Sequence, residues 1–142
     1  MSLYEDFKTS DTLEINGVRF ENATYAYTLA RSGGANKKFN KMFERLARPH
    51  RRQMDNNTLP EKTAERIMHQ VYARTVVLRW ETLKDDEWVD GVEQPDGEIV
   101  PMTEDVLIRL FEELPDLFAQ ITDDAKDVAY FRQEGMEADA GN

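Results

Sequence analysis

Between Pro60 and Leu83 apolar residues recur at three- and four-residue intervals. Ala64, Ile67, Val71, Thr75 and Leu78 make one stripe, and Met68, Tyr72, Val76 and Trp80 make its neighbour. The combined face is too wide for a helix lying on a surface. The spacing therefore predicts a central helix from Pro60 to Leu83, with Ile67, Val71 and Leu78 buried. Pro60 suits a first helical turn. The β-branched run Thr75-Val76-Val77 lowers helix propensity slightly and need not end the helix. A chain of 142 residues can bury one such core. One compact domain over 1–134 is expected, with 135–142 as a polar, flexible tail.

The remaining pieces arrange themselves around that helix. In Thr12–Phe20, Leu13 and Ile15 alternate with polar residues before Asn16-Gly17, and Val18 and Phe20 alternate after it. This reads as a β-hairpin closed by a type I′ turn. Tyr25, Tyr27 and Leu29 suggest a third strand, so 12–30 is a hairpin or small sheet. Asn36 is a candidate N-cap for a helix carrying Phe39, Met42, Phe43, Leu46 and Ala47, limited by Pro49. Residues 36–83 thus read as helices. Residues 84–102 read as an acidic loop anchored by Trp88, Val89 and Ile99, with room for a small hairpin at Asp96-Gly97. Thr103 then caps a helix bearing Val106, Leu107, Leu110, Phe111 and Leu114. Pro115 restarts the pattern through Leu117, Phe118, Ile121, Ala125, Val128 and Phe131, giving helices over 103–134. The expected class is α+β and mostly helical: about four helices with an N-terminal β-hairpin or small antiparallel sheet.

Charge excludes several functions. There are 28 acidic and 18 basic residues, a net charge of -10. That balance argues against a general nucleic-acid binder. It is unevenly placed. Arg31, Lys37, Lys38, Lys41, Arg45, Arg48, Arg51 and Arg52 stand against the single acid Glu44, whereas Glu81 onward holds 19 acids and 4 bases. Two surfaces of opposite sign either attract within the monomer or meet different partners. No Cys is present, so disulfides, thiolate nucleophiles and Cys-based metal sites are excluded. The opening MSLYEDFKTSD lacks the basic and apolar regions of a signal peptide, and no run reaches the roughly 18 apolar residues of a membrane span. A soluble cytoplasmic protein without a membrane partner is expected.

Catalytic constellations are missing. His50 and His69 have no acidic residue in metalloprotease spacing. Ser32-Gly-Gly-Ala-Asn-Lys-Lys38 places glycines and lysines before a helix and could bind an anion, but it lacks P-loop spacing. An EF-hand register begun at Asp86 puts Trp88 at the third position and Gly97 at the twelfth, which fails. No enzyme, metal or cofactor is expected.

A surplus of apolar residues is the stronger signal. Leu107, Leu110, Phe111, Leu114, Leu117, Phe118 and Ile121 crowd around Pro115. They serve either as core or as a groove for an amphipathic partner. The basic set Lys37, Lys38, Lys41, Arg45, Arg48, Arg51 and Arg52 offers a second, electrostatic contact.

Certain strings carry a resemblance. Leu29-Ala-Arg-Ser-Gly-Gly-Ala-Asn-Lys-Lys-Phe39, Leu46-Ala-Arg-Pro-His-Arg-Arg52, Val71-Tyr-Ala-Arg-Thr-Val-Val-Leu-Arg-Trp-Glu81 and Leu110-Phe-Glu-Glu-Leu-Pro-Asp-Leu-Phe118 occur in that order. Over roughly residues 18 to 134 the chain resembles tail assembly chaperones of long-tailed phages and prophages. The resemblance implies a non-catalytic role in the host cytoplasm. It implies binding to the tape-measure protein before the tube polymerises, with the tail tube protein as a further candidate partner. A minor structural tail or connector protein of the virion is the alternative.

Overall fold

The structure is a computed structural model that describes residues 2–132. The sequence-predicted tail, 135–142, lies outside the described residues. Among the described residues four helices run ten residues or more: α3 (Lys37–Ala47), α5 (Glu61–Thr75), α6 (Glu104–Glu113) and α7 (Pro115–Lys126). Shorter helices are α1 (Leu3–Phe7), α2 (Asp11–Asn16) and α4 (Arg51–Asp55), with 3-10 turns at Arg48–His50 and Val128–Phe131. The α+β, mostly helical class expected from sequence is the one observed.

An antiparallel sheet runs in the order β1 (Val18–Glu21), β2 (Tyr25–Leu29), β3 (Val77–Lys84), β4 (Glu87–Asp90). A separate ribbon pairs β5 (Val92–Glu93) with β6 (Ile99–Val100) across the Asp96-Gly97 turn, as the sequence suggested. The N-terminal hairpin exists, but one element later than expected. Leu13 and Ile15 lie on α2, and Gly17 ends that helix at φ 93°. Asn-Gly suits a left-handed helix end as well as a hairpin turn. β1 and β2 instead reverse through Asn22–Thr24.

The larger correction concerns Pro60–Leu83. The helix stops at Thr75, and Val77–Lys84 is a strand. The β-branched run does favour extended chain here, and β3 gains two partners, Tyr27 opposite Trp80 and Val89 opposite Thr82. Asn36 reinforces the break. It stands at the N-cap position of α3 but makes no side-chain cap. Its Nδ2 donates to the Thr75 carbonyl at 2.9 Å and to the Arg31 carbonyl at 2.8 Å, satisfying an orphan acceptor at the end of α5. Ile67 and Val71 are buried as expected, but Leu78 is 42% exposed. The register passes from Thr28 opposite Arg79 to Leu29 opposite Val77, which leaves Leu78 as the extra residue of a bulge.

Residues 84–102 are likewise more than a loop. Asp85 and Asp86 adopt φ 52° and 64° and form a tight two-residue connection from β3 to β4. Near the C-terminal end, Val128 and Phe131 belong to the 3-10 turn rather than to a continuing helix.

The sheet is two-faced. Tyr27, Leu29 and Trp80 enter the core, where they meet Tyr72, Leu107, Phe111, Ile121 and Ala125 from the helices. The opposite face carries ion pairs, Arg19 Nε to Glu81 Oε1 and Arg79 Nε to Asp90 Oδ1, both at 2.9 Å. In the helical layer α5 lies between α3 and α6. Phe39 packs edge-on to Tyr72 at 5.5 Å on one flank, and His69 lies 5.7 Å from Phe111 on the other.

Candidate partner-binding groove

The α6–α7 elbow makes the groove. Thr103 Oγ1 accepts from the Val106 N–H and starts α6, as its sequence position predicted. Leu114 leaves helical geometry at φ -125°, ψ 73°. Pro115, which has no N–H to lose, starts α7. Along α6, Leu107, Ile108 and Phe111 turn inward, whereas Leu110 and Leu114 turn toward the sheet side. There they face Tyr25, Trp80 and Val92 across a groove of about 490 Å³. Leu117 closes it from α7. Glu93, Glu113 and Asp116 stand along the same opening. A second hollow of about 300 Å³ shares Leu110, Leu114, Glu93 and Glu113 and runs on to Val106 beneath Gln94-Pro95. The two form one trough along α6, apolar below and mainly acidic at the rim, with Arg109 beside Glu93 and Glu113.

The walls are fixed by packing and by directional bonds. Tyr25 and Trp80 stack at 6.0 Å and 11°. The Tyr27 hydroxyl donates to Asp124 Oδ2 at 2.7 Å, and Gln120 Nε2 donates to the hydroxyls of Tyr27 at 2.7 Å and Tyr25 at 3.1 Å. These bonds tie β2 to α7. Burial pushes the Tyr27 phenol well above its ordinary range, opposed by the Gln120 hydrogen bond and reinforced by Asp124. Burial also raises the Asp124 carboxyl, opposed by the Tyr27 hydrogen bond. A trough with apolar walls, fixed aromatics and a rim of three acids and one base, Arg109, suits the apolar face of a helix.

The expected site residues separate. Leu107, Phe111 and Ile121 are at most 1% exposed and belong to the core, one of the two readings the sequence left open for them, rather than to a partner surface. They point toward α5 and the sheet, on the opposite side of their helices from solvent. Phe118 is half-buried against Tyr72, Phe111 and His69, in a different hollow lined by Arg66 and Glu112. Leu110, Leu114 and Leu117 line the trough, and Leu114 is 48% exposed. Tyr25, Trp80 and Val92 complete it from the sheet and were not foreseen.

Lys37, Lys38, Lys41 and Arg45 on α3, Arg48 in the 3-10 turn, and Arg51 and Arg52 on α4 are all exposed. None of the seven makes an ion pair among the described residues. With α5 between α3 and α6, this basic stripe and the trough do not form one surface.

The glycine-rich loop before α3 already holds an anion, and it is the protein's own. The Glu14 carboxylate, 2% exposed, accepts from the Ala35 N–H at 3.3 Å and pairs with the Arg31 guanidinium. Gly34, at φ 55°, leaves room for it, since a Cβ there would collide with Glu14 Oε2. His50 Nδ1 lies 3.3 Å from Gln53 Oε1, far in the chain from His69. His69 is 7% exposed, and its Nδ1 has no hydrogen-bond partner. Burial lowers its pKa. Among the described residues no helix is long and apolar enough to cross a membrane.

Fold and trough define the class: a small α+β protein whose antiparallel sheet is covered on one face by helices, with an acid-rimmed trough at their elbow. The family model for the YdaY prophage protein matches residues 34–142, and the chain belongs to that family. It is a protein of phage or prophage origin. No curated protein and no solved structure matches it.

Proposed function

We propose that this chain is a non-catalytic tail assembly chaperone that holds an apolar helical segment of the tape-measure protein in the trough along α6. The observation that carries this reading is the trough itself. Leu110, Leu114 and Leu117 meet Tyr25 and Trp80 over a solvent-open apolar floor. A tape measure is a long helical chain whose apolar face has no partner until the tube forms around it. A trough of moderate size with a charged rim covers such a face and still releases it. Membership of a prophage family and the resemblance to tail chaperones support the reading, and a chaperone of this kind acts in the host cytoplasm.

The test is co-expression with a phage tape-measure protein, followed by co-purification. Wild type should retain it, and Leu114→Asp should lose it while keeping its circular dichroism. Retention by a folded Leu114→Asp variant refutes the trough. Recovery of the protein in purified virions favours a structural tail or connector component instead.

A further inference from the structure

Three of the largest exposed apolar side chains sit on one short helix. On α1, Leu3 is 71% exposed, Tyr4 77% and Phe7 67%, and the helix buries none of its residues. Positions 3, 4 and 7 fall on one face. A reciprocal cap between Ser2 and Glu5 holds the turn, and Thr9 pairs with Arg132 to tether it to the body. A five-residue helix is not stable through its backbone alone, and a contiguous exposed apolar face marks an interaction site. Glu5 and Asp6 make the rest of the helix acidic.

Charge selects the surface that covers it. The trough along α6 is apolar, but Glu93, Glu113 and Asp116 outnumber Arg109 at its rim and would repel Glu5 and Asp6. The α3–α4 corner has the opposite sign. A hollow of about 410 Å³ there is lined by Phe43, Ala47, Met54 and Arg51, with Glu44 and Asp55 also on its wall, and the seven bases from Lys37 to Arg52 outnumber those two acids. Arg48 and Arg52 flank Arg51, exposed and without ion pairs among the described residues.

We propose that α1 of one copy docks into the α3–α4 hollow of a second copy. Leu3 and Phe7 enter against Phe43 and Met54, and Glu5 and Asp6 face Arg51 and Arg52. The two surfaces differ, so the contact is head-to-tail and propagates into a ring or an open chain. The Phe7 ring buries roughly 150–250 Å² at most, and with Leu3 this is still less than a stable interface needs. The association is therefore weak, concentration-dependent and salt-sensitive. It is independent of the trough.

Sedimentation of the full chain from micromolar to millimolar concentration tests this. The weight-average mass should rise with concentration and return to the monomer value as salt is added. Phe7→Ser and Arg51→Glu should each abolish the rise without changing circular dichroism. Glu5→Lys with Asp6→Lys should also abolish it. Mixing that variant with Arg51→Glu, Arg52→Glu protein should restore association between the two. A chain monomeric throughout overturns the proposal. So does association that survives Arg51→Glu but not Phe7→Ser, which would indicate pairing of two α1 helices.

Discussion

Replacing Glu14 tests the internal-anion reading of the loop before α3. Glu14 is 2% exposed, and its carboxylate receives both the Arg31 guanidinium and the Ala35 N–H. Glu14→Ala removes a charge-assisted bond, leaves a backbone donor unmatched and opens space beside Gly34. Removing one partner of a buried pair costs about 3–5 kcal/mol. The Arg31 side chain is 24% exposed and recovers part of its hydration, so the lower end applies, about 3 kcal/mol. Glu14→Gln keeps a neutral acceptor for Ala35 and should cost about half of that. Urea unfolding followed by circular dichroism and Trp fluorescence measures both. A cycle with Arg31→Met then isolates the pair, and a coupling of about 1.5 kcal/mol or more is expected. Amide exchange across Ser32–Asn36 should rise in Glu14→Ala before the rest of the chain is affected. If Glu14→Ala costs under about 1 kcal/mol, or the cycle is additive, the loop does not depend on this carboxylate and the reasoning fails.

Other outcomes follow from burial and from the trough. Leu107→Ala, at a 1% exposed site, should cost about 2–5 kcal/mol, whereas Leu78→Ala on the bulge should cost less than about 1 kcal/mol, read by urea midpoints. Phe111→Asp should unfold the chain by circular dichroism, while Leu114→Asp should leave the thermal midpoint nearly unchanged and lose partner binding. His69 has a folded-state pKa lowered by burial, so the unfolded chain takes up a proton that the folded chain resists. Stability should therefore fall as pH drops through about 6.5, the ordinary histidine value. His69→Leu should flatten that part of the profile, and an unchanged slope would count against the burial argument.

Local chemistry was legible in the sequence where one segment decides its own shape. Thr103 as a cap, Pro115 as a restart and Asp96-Gly97 as a turn all depend on neighbours within a few residues. The failures involve choices made elsewhere in the chain. Asn16-Gly17 fits a helix end and a hairpin turn equally, and the outcome depended on Glu14 being drawn toward Arg31. The stripe from Pro60 continues past Thr75 because Val76, Leu78 and Trp80 satisfy helical spacing too. Pairing of Trp80 with Tyr27 made that stretch a strand, and no local window contains that partner. The Asp85-Asp86 turn carried no glycine to announce it. At the site, density of Leu and Phe located the elbow but merged two faces. The row Val106, Leu110, Leu114 is separable from Leu107 and Phe111 by their one-residue offset around the helix. Tyr25, Trp80 and Val92 could be assigned to the trough only once the sheet lay beneath it.

The walls of the trough are spread along the chain, which sets a schedule for synthesis. Tyr25 and Trp80 are in place once β3 has emerged, since β2 and β3 pair with each other. Leu110, Leu114 and Leu117 are translated later. At about 5–20 residues per second, the delay between sheet and elbow is on the order of seconds. During it, Trp80 and Tyr25 lie under no helix from the C-terminal half. The nascent chain thus shows its aromatic floor before the cleft has its second wall.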